Sequence, residues 1–324
     1  MSARPVVVVT RRLPEPVHEA LTRTFDARLN PDDRPLSGDG LQDALRQADA
    51  LLTTVTDKVT ADVLSAEPRR AKLVANFGVG FNNIDIEAAK ARGIAVSNTP
   101  DVLTDATADL AITLLLMAAR RTGEGERHLR GGQWTGWRPT HLLGTHVTGK
   151  TLGLIGMGRI ARAVAQRAHH GFGMKVIFHD PYPPSVEVAR SLGAEPRGSL
   201  EQVLGEADFV SLHCPATPET RHLMNRERFA LMRPDAFLIN TARGDVVDEA
   251  ALVEALQGGR IAGAGLDVFE REPQVTQALV TMDNVVLLPH LGSATRETRV
   301  AMGMRAFENL QLFFSGQPLR DRVV

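Results

Sequence analysis

Gly156-Met157-Gly158-Arg159-Ile160-Ala161 is the stretch on which the fold of this chain turns. An apolar run, Thr151-Leu152-Gly153-Leu154-Ile155, leads into it. It opens a helical pattern in which Ile160, Val164 and Ala168 share one face, and Val176-Ile177-Phe178-His179-Asp180 follows as a second strand closing on an acid. Strand, glycine turn, helix, strand and acid in this order make a dinucleotide-binding unit. Gly156 permits the tight turn, Gly158 lets the backbone approach a pyrophosphate, and Ala161 keeps the helix close to the sheet. The phosphates rest on free amides at the helix N-terminus, and Asp180 accepts hydrogen bonds from the adenosine ribose hydroxyls. A plain structural turn would account for the glycines but not for strand, helix and acid together. Such a unit normally begins a nucleotide domain, yet about half the chain precedes it. Another domain must come first, and the chain must return to it.

Composition narrows the remaining choices. The 324 residues suggest two domains, each with ample core. Basic and acidic residues nearly cancel, 37 against 38, and no basic block stands out, so electrostatic binding of nucleic acid is not expected. The single cysteine, Cys214, excludes an intrachain disulfide and fits a cytoplasmic location; before Pro215 at a strand end it reads as a small buried residue rather than a nucleophile. Pro5-Val6-Val7-Val8-Val9 is too short for a signal-peptide core, and the run from Leu110 to Ala119 is about half a membrane span. No membrane role is expected.

Before the glycine turn, short apolar runs alternate with helical patterns. Val6–Thr10, Ala50–Thr53, Leu73–Ala75 and Ile94–Ser97 read as strands; Pro16–Arg23, Leu41–Gln47 and Ile86–Ala91 read as helices. This alternation implies a parallel sheet with helices on both faces. Asn98-Thr99-Pro100 marks a boundary. Thr104 to Arg120 reads as a long apolar helix, and Thr122 to Gly149 shows no clear period, a loop long enough to be functional. After Asp180, Phe209–His213, Ala236–Asn240, Gly263–Val268 and Asn284–Leu288 continue the pattern. A helix from Thr295 to Phe314 is then placed to cross back to the first domain. The expected domains are 1–99 with 289–324, and 100–288, with an arm at about 121–149.

Three strand ends carry reactive side chains. Arg243 follows one strand in Asn240-Thr241-Ala242-Arg243-Gly244, Glu272 follows the next in Gly265–Pro273, and His290 follows the third in Leu288-Pro289-His290. In a parallel sheet all three lie at the carboxyl edge, as does the glycine turn. Together they suit a 2-oxo acid beside a nicotinamide. Arg243 can grip a carboxylate with two prongs, His290 can exchange a proton with the C2 oxygen, and Glu272 can orient His290. Taken singly, each is as readily an ordinary loop or surface residue. Metal ligation is not expected: His169 and His170 diverge on a helix, and His141 and His146 lack partners at ligand spacing.

These segments resemble the D-isomer-specific 2-hydroxyacid dehydrogenase family through most of the chain: Gly78-Val79-Gly80-Phe81-Asn82-Asn83-Ile84-Asp85, Gly156–Ala161, His213-Cys214-Pro215, Asn240–Asp248, Gly265–Pro273 and Pro289–Ala294. The resemblance implies an α/β fold of two doubly wound parallel-sheet domains, a Rossmann cofactor domain inserted into a flavodoxin-like substrate domain. It matches Arg243, Glu272 and His290 to the catalytic trio, and the amides of Val79 and Gly80 to the loop that binds the substrate carboxylate. It matches Thr104, Met157, Gly158, Arg159, Ile160, Asp180, His213, Pro215, Thr220, Thr241, Ala242, Arg243, Asp267, His290 and Gly292 to positions lining the cofactor. Asp267 would accept from the nicotinamide amide, or else cap a strand end. Trp134-Thr135-Gly136-Trp137 is similar to the Trp-rich arm of glyoxylate/hydroxypyruvate reductases, which packs across a homodimer; a pair of loop anchors is the alternative.

Two positions bear on specificity. Asn82 stands where many relatives have an acid. NADP-preferring relatives tend to have a small polar residue followed by Arg at the position of Asp180-Pro181, so NAD(H) is the expected cofactor and NADP(H) the alternative. Reduction of glyoxylate or hydroxypyruvate is the expected activity. The alternatives are another D-2-hydroxyacid dehydrogenase, acting on phosphoglycerate or D-lactate, and an NAD-sensing corepressor-like binding protein on the same fold.

Overall fold

The computed structural model describes residues 3–324. They form two compact units: one runs to Leu103 and resumes over Ser293–Val324, and the other is Thr104–Gly292. The first unit holds strands β1 (Val6–Val9), β2 (Asp26–Arg28), β3 (Ala50–Thr54), β4 (Leu73–Phe77) and β5 (Ala95–Ser97). They pair in parallel in the order β2-β1-β3-β4-β5, the flavodoxin-like arrangement. Helices cover both faces, so β1, β3 and β4 read as unbroken apolar runs rather than alternating ones. On one face Leu41, Leu45, Leu51, Val74 and Val96 pack together. On the other, Val7, Leu52 and Leu73 pack with Met302, Phe307 and Leu310 of the helix Arg296–Phe314. The returning C-terminal helix therefore completes this core, and Val323 and Val324 hydrogen-bond to Val96 beside it.

The second unit holds β6 (Thr151–Ile155), β7 (Lys175–His179), β8 (Ala194–Pro196), β9 (Phe209–Leu212), β10 (Phe237–Asn240), β11 (Gly263–Leu266) and β12 (Val285–Leu287). All are parallel, in the order β12-β11-β10-β9-β6-β7-β8. The strand order reverses between β6 and β9, and the crevice at the carboxyl ends of those strands is where doubly wound sheets bind ligands. The helix Thr104–Ala119 is apolar around most of its surface and packs with Arg159–Phe172 on one face of the sheet. Leu252 and Leu256 of the helix Glu249–Gln257 pack on the other. Among the described residues no helix is long and apolar enough to cross a membrane.

The structure adds elements absent from the sequence reading, among them the short strands β2 and β8, and two other differences bear on its organisation. Thr122–Arg130 is a helix, separated from the one before it by Arg121 in the left-handed region, φ 52°. It buries none of its residues, so it has no apolar stripe to show a period. The units divide at Leu103/Thr104 and Gly292/Ser293, beyond the two boundaries expected. Pro289–Gly292 stays with the second unit because Asp267 and Thr107 hold it there.

Candidate active site

At the end of β6 the chain turns through Gly156, whose φ of +88° an L side chain rarely adopts. A Cβ there would also lie 3.0 Å from the backbone of His213, where the end of β9 passes. Gly158 caps the helix Arg159–Phe172 with no side-chain hydrogen bond, and a Cβ on it would meet nothing within 4 Å. Open space therefore lies beside a helix N-terminus, the setting for a phosphate. Arg159 and Ile160 form the first turn of that helix. Asp180 ties the turn to β7: Oδ2 accepts from Met157 N–H at 2.6 Å and Oδ1 from Tyr182 N–H at 2.7 Å.

Beside this turn runs His213-Cys214-Pro215. His213 Nε2 lies 2.9 Å from Ser211 Oγ, and burial pushes its pKa down to about 4, so the ring is neutral at physiological pH. Burial pushes the Cys214 thiol up to about 11, which argues against a thiolate nucleophile at neutral pH. Thr220 Oγ1 donates to Pro215 O at 2.6 Å and closes the loop that follows. Thr241 Oγ1, at the end of β10, is buried without a hydrogen-bond partner among the described residues. An orphaned hydroxyl at a sheet's carboxyl edge suits a polar ligand. With the open Gly158 cradle, it makes the donor set fit a dinucleotide. Thr104 opens its own helix, Thr104–Ala119.

The reactive strand ends of the second unit do come together. Arg243 sits on a turn folded by Asn240, whose Oδ1 accepts from Ala242 N–H at 3.0 Å and whose Nδ2 donates to Arg243 O at 2.9 Å. Burial lowers the Arg243 pKa while the charges of Glu272 and Asp245 pull it back up. Gly244 presses on the next strand end so closely that a Cβ would lie 1.9 Å from Phe269 C. Glu272 is held at both oxygens: Oε1 accepts from Phe269 N–H at 3.1 Å, and Oε2 lies 2.8 Å from His290 Nδ1. Burial raises the Glu272 carboxyl. The hydrogen bond and charge of His290, helped by Phe269 N–H and Arg243, outweigh it and leave the group below the usual carboxylate range.

His290 takes a left-handed backbone, φ 55°, which a bulky residue adopts only when held. Asp267 holds it. Three successive amides converge on that residue: His290 N–H on its carbonyl at 2.9 Å, and Leu291 and Gly292 N–H on its carboxylate at 2.6 and 2.8 Å. Asp267 thus does the work of a strand-end cap, and burial raises its pKa. Each carboxylate oxygen keeps further acceptor capacity.

In the first unit, three consecutive carbonyls of the loop Gly78-Val79-Gly80 are each pinned. Thr99 N–H donates to Gly78 O at 3.0 Å, Asn98 Nδ2 to Val79 O at 2.8 Å and Asn76 Nδ2 to Gly80 O at 3.0 Å. In a trans peptide the N–H points opposite to the C=O. The amides of Val79 and Gly80 are therefore aimed away from the pinning groups, and neither has an acceptor among the described residues. Two adjacent outward amides suit an anion. The sequence reading singled out Val79 and Gly80 but missed Asn76 and Asn98. The available signal was an asparagine inside the apolar run Leu73–Phe77, which the structure buries completely.

No group of three or more His, Cys, Asp or Glu side chains that could hold a metal occurs among the described residues. In comparisons with known proteins, the model of the D-isomer specific 2-hydroxyacid dehydrogenase NAD-binding domain matches residues 112–292. A glyoxylate reductase of Thermococcus kodakarensis is 46% identical over 318 residues, covering 97% of this chain and 94% of the relative. The NADPH-dependent glyoxylate/hydroxypyruvate reductase of Sinorhizobium meliloti, solved with NADP and malonate, superposes with a TM-score of 0.88 at 37% identity, over 99% of this chain and 97% of that one. The holo form of Rhodotorula graminis D-mandelate dehydrogenase superposes with a TM-score of 0.89 at 32% identity, over 99% and 98%.

Proposed function

The chain belongs to the D-isomer-specific 2-hydroxyacid dehydrogenase family, and on that premise we propose that it reduces glyoxylate and hydroxypyruvate to the corresponding 2-hydroxy acids with His290 as proton donor. It is an oxidoreductase with a nicotinamide-binding domain. The observation that carries the reading is the 2.8 Å contact of His290 Nδ1 with Glu272, within reach of the Arg243 charge.

The bound nicotinamide supplies hydride chemistry at C2 of the substrate. Arg243 binds the substrate carboxylate through its planar fork, which a lysine cannot reproduce. His290 gives its proton to the oxygen that becomes the hydroxyl, and takes it back in the reverse direction. Glu272 stabilises the protonated imidazole and fixes its orientation. The outward amides of Val79 and Gly80 form a further carboxylate-binding element. Asp180 favours NAD(H), because its charge opposes a 2′-phosphate. The exposed arm around Trp134 and Trp137 supports a homodimer.

Absorbance assays with NADH or NADPH and a panel of glyoxylate, hydroxypyruvate, pyruvate and phenylglyoxylate test the reading. Wild-type protein should consume NADH fastest with the first two. His290→Ala should lose about 10²- to 10⁴-fold in kcat, the usual worth of a general acid, while NADH binding measured by fluorescence persists. Near-wild-type turnover in that variant would overturn the assignment, as would wild-type protein inert toward every 2-oxo acid.

A further inference from the structure

Glu249 is a buried acid, 7% exposed, that the reaction above does not use. It is the first residue of the helix Glu249–Gln257, which follows the Arg243 turn. The capping of that helix is done by its neighbour: Asp248 Oδ1 accepts from the amides of Ala250 and Ala251 at 3.1 Å each. The Glu249 carboxylate turns elsewhere. Oε1 accepts from Glu270 N–H at 2.7 Å, and Oε2 accepts from Thr276 Oγ1. Glu270 and Thr276 are the two ends of the segment that carries Glu272. One acceptor-only group thus closes that segment like a clasp, meeting a donor at each end.

A second contact grips the same segment. His222 Nε2 lies 2.8 Å from Glu270 Oε1, and the His222 backbone N–H donates to Asp245 O at 2.8 Å, in the turn after Arg243. His222 sits in the left-handed region, φ 49°, so its backbone is held in a disfavoured conformation. The close approach of Gly244 to Phe269 and Glu270 brings the same two pieces together. By contrast, Glu272 itself is about a third exposed and lies on the loop, not on a strand or helix.

We propose that Glu249 is a positioning residue for the proton-donor pair: it clasps residues 270–276 so that Glu272 stays against His290, and the His222–Glu270 contact is the second hold. The proposal rests on the reading of His290 as proton donor. Charged groups surround the pair: Asp245 acts on Arg243, and Glu272 acts on Asp267. Glu270 faces His222 and, at 3.8 Å, Arg221; His290 faces Glu272 and the charge of Asp267; Glu272 feels Arg243. Burying a carboxylate is costly unless it is well hydrogen-bonded. Two donors anchored at the ends of one loop make the cost intelligible as a demand for geometry.

The test compares Glu249→Ala, Glu249→Gln and His222→Ala in the full chain, with His290→Ala alongside. Freed from its clasp, Glu272 loses register with His290. In Glu249→Ala the kcat for glyoxylate should fall about tenfold to a hundredfold, as for a small misplacement of a reacting group. The NADH dissociation constant should stay unchanged. The pH profile of reduction should change, because the Glu272 carboxyl, held below the usual range by its hydrogen bond and charge contact with His290, no longer keeps that contact. Glu249→Gln keeps an oxygen for Glu270 N–H and can donate to the Thr276 hydroxyl, so it should recover most of both. His222→Ala should change the same profile by less, and it decides the matter if Glu249→Ala does not fold. A wild-type pH profile in both the Glu249→Ala and His222→Ala proteins overturns the clasp. So does a wild-type profile in His222→Ala alone, where Glu249→Ala is not obtained. Those outcomes with an inactive His290→Ala leave the proton-donor reading standing, whereas an active His290→Ala removes that reading itself.

Discussion

Asp180 holds the glycine turn in the structure and is proposed to hold the cofactor ribose as well. Its oxygens already accept from the amides of Met157 and Tyr182, which fixes the glycine turn against the end of β7. Each oxygen retains a further acceptor site, enough for the two hydroxyls of a ribose. A phosphate at the 2′ position would instead meet a negative charge. Asp180→Ala should therefore narrow the ratio of kcat/KM for NADH over NADPH while raising KM for NADH, since the turn is loosened as well. An unchanged ratio in steady-state kinetics would remove Asp180 from cofactor choice. The histidines illustrate how burial sorts similar residues. His213 is kept neutral by desolvation alone, with no carboxylate beside it, and so has no proton to lend at physiological pH. His290 instead lies against Glu272, whose carboxyl is held below the usual range by that contact. A depressed carboxyl stays charged, and keeps its contribution to the pair, until the pH falls through that lowered value.

At the scale of the element, the loop Gly78–Gly80 shows how a short segment is made rigid without being regular. Its three carbonyls are taken by donors from near the end of β4 and from the two residues after β5. Asn76 is the buried member, and Asn83 Nδ2 fixes its amide by donating to Asn76 Oδ1 at 3.2 Å. Asn76→Ala frees the Gly80 carbonyl and leaves Asn83 with one acceptor fewer. The expected result is a KM for glyoxylate raised about tenfold with little change in KM for NADH, and stability lowered by about 1 kcal/mol for the lost hydrogen bond to the part-buried Gly80 carbonyl. Lowered thermal stability with an unchanged KM would make Asn76 structural only. Little of this was legible in the sequence. Gly78 and Gly80 announce a turn, but the partners that orient its peptides are separated along the chain and meet only through the sheet. The helix Thr122–Arg130 was illegible for a different reason, the absence of any buried face to impose a period.

At the scale of the whole molecule, the conspicuous surface is the arm that follows this helix. Trp134 is 53% exposed and Trp137 83%, with Leu129 and Leu143 exposed nearby in sequence. Aromatic side chains of this size bury about 150–250 Å² each when covered. A homodimer with this arm in its interface is the expected state. Sedimentation velocity should show wild-type protein as a dimer at micromolar concentration and a Trp134→Ala, Trp137→Ala double variant shifted toward monomer. A monomeric wild-type protein would overturn the expectation.

The sequence by itself determined the class of fold, the cofactor turn and the strand ends that carry Arg243, Glu272 and His290. The reason is that βα alternation forces a parallel sheet, and a parallel sheet gathers every βα junction at one edge. Residues far apart in the chain can then be assigned to one edge from order alone. What only the tertiary structure decided is how those side chains are held: Asp267 gathering three amides to force His290 into the left-handed region, Glu249 clasping the Glu272 segment, and Asn76 and Asn98 aiming a backbone. These contacts join the segments that follow β10, β11 and β12, or β4 and β5. Loops carry no periodic pattern from which a partner could be inferred. Their pairings follow from the packing of the sheet beneath them, where a difference of an ångström decides whether a carboxylate meets an amide.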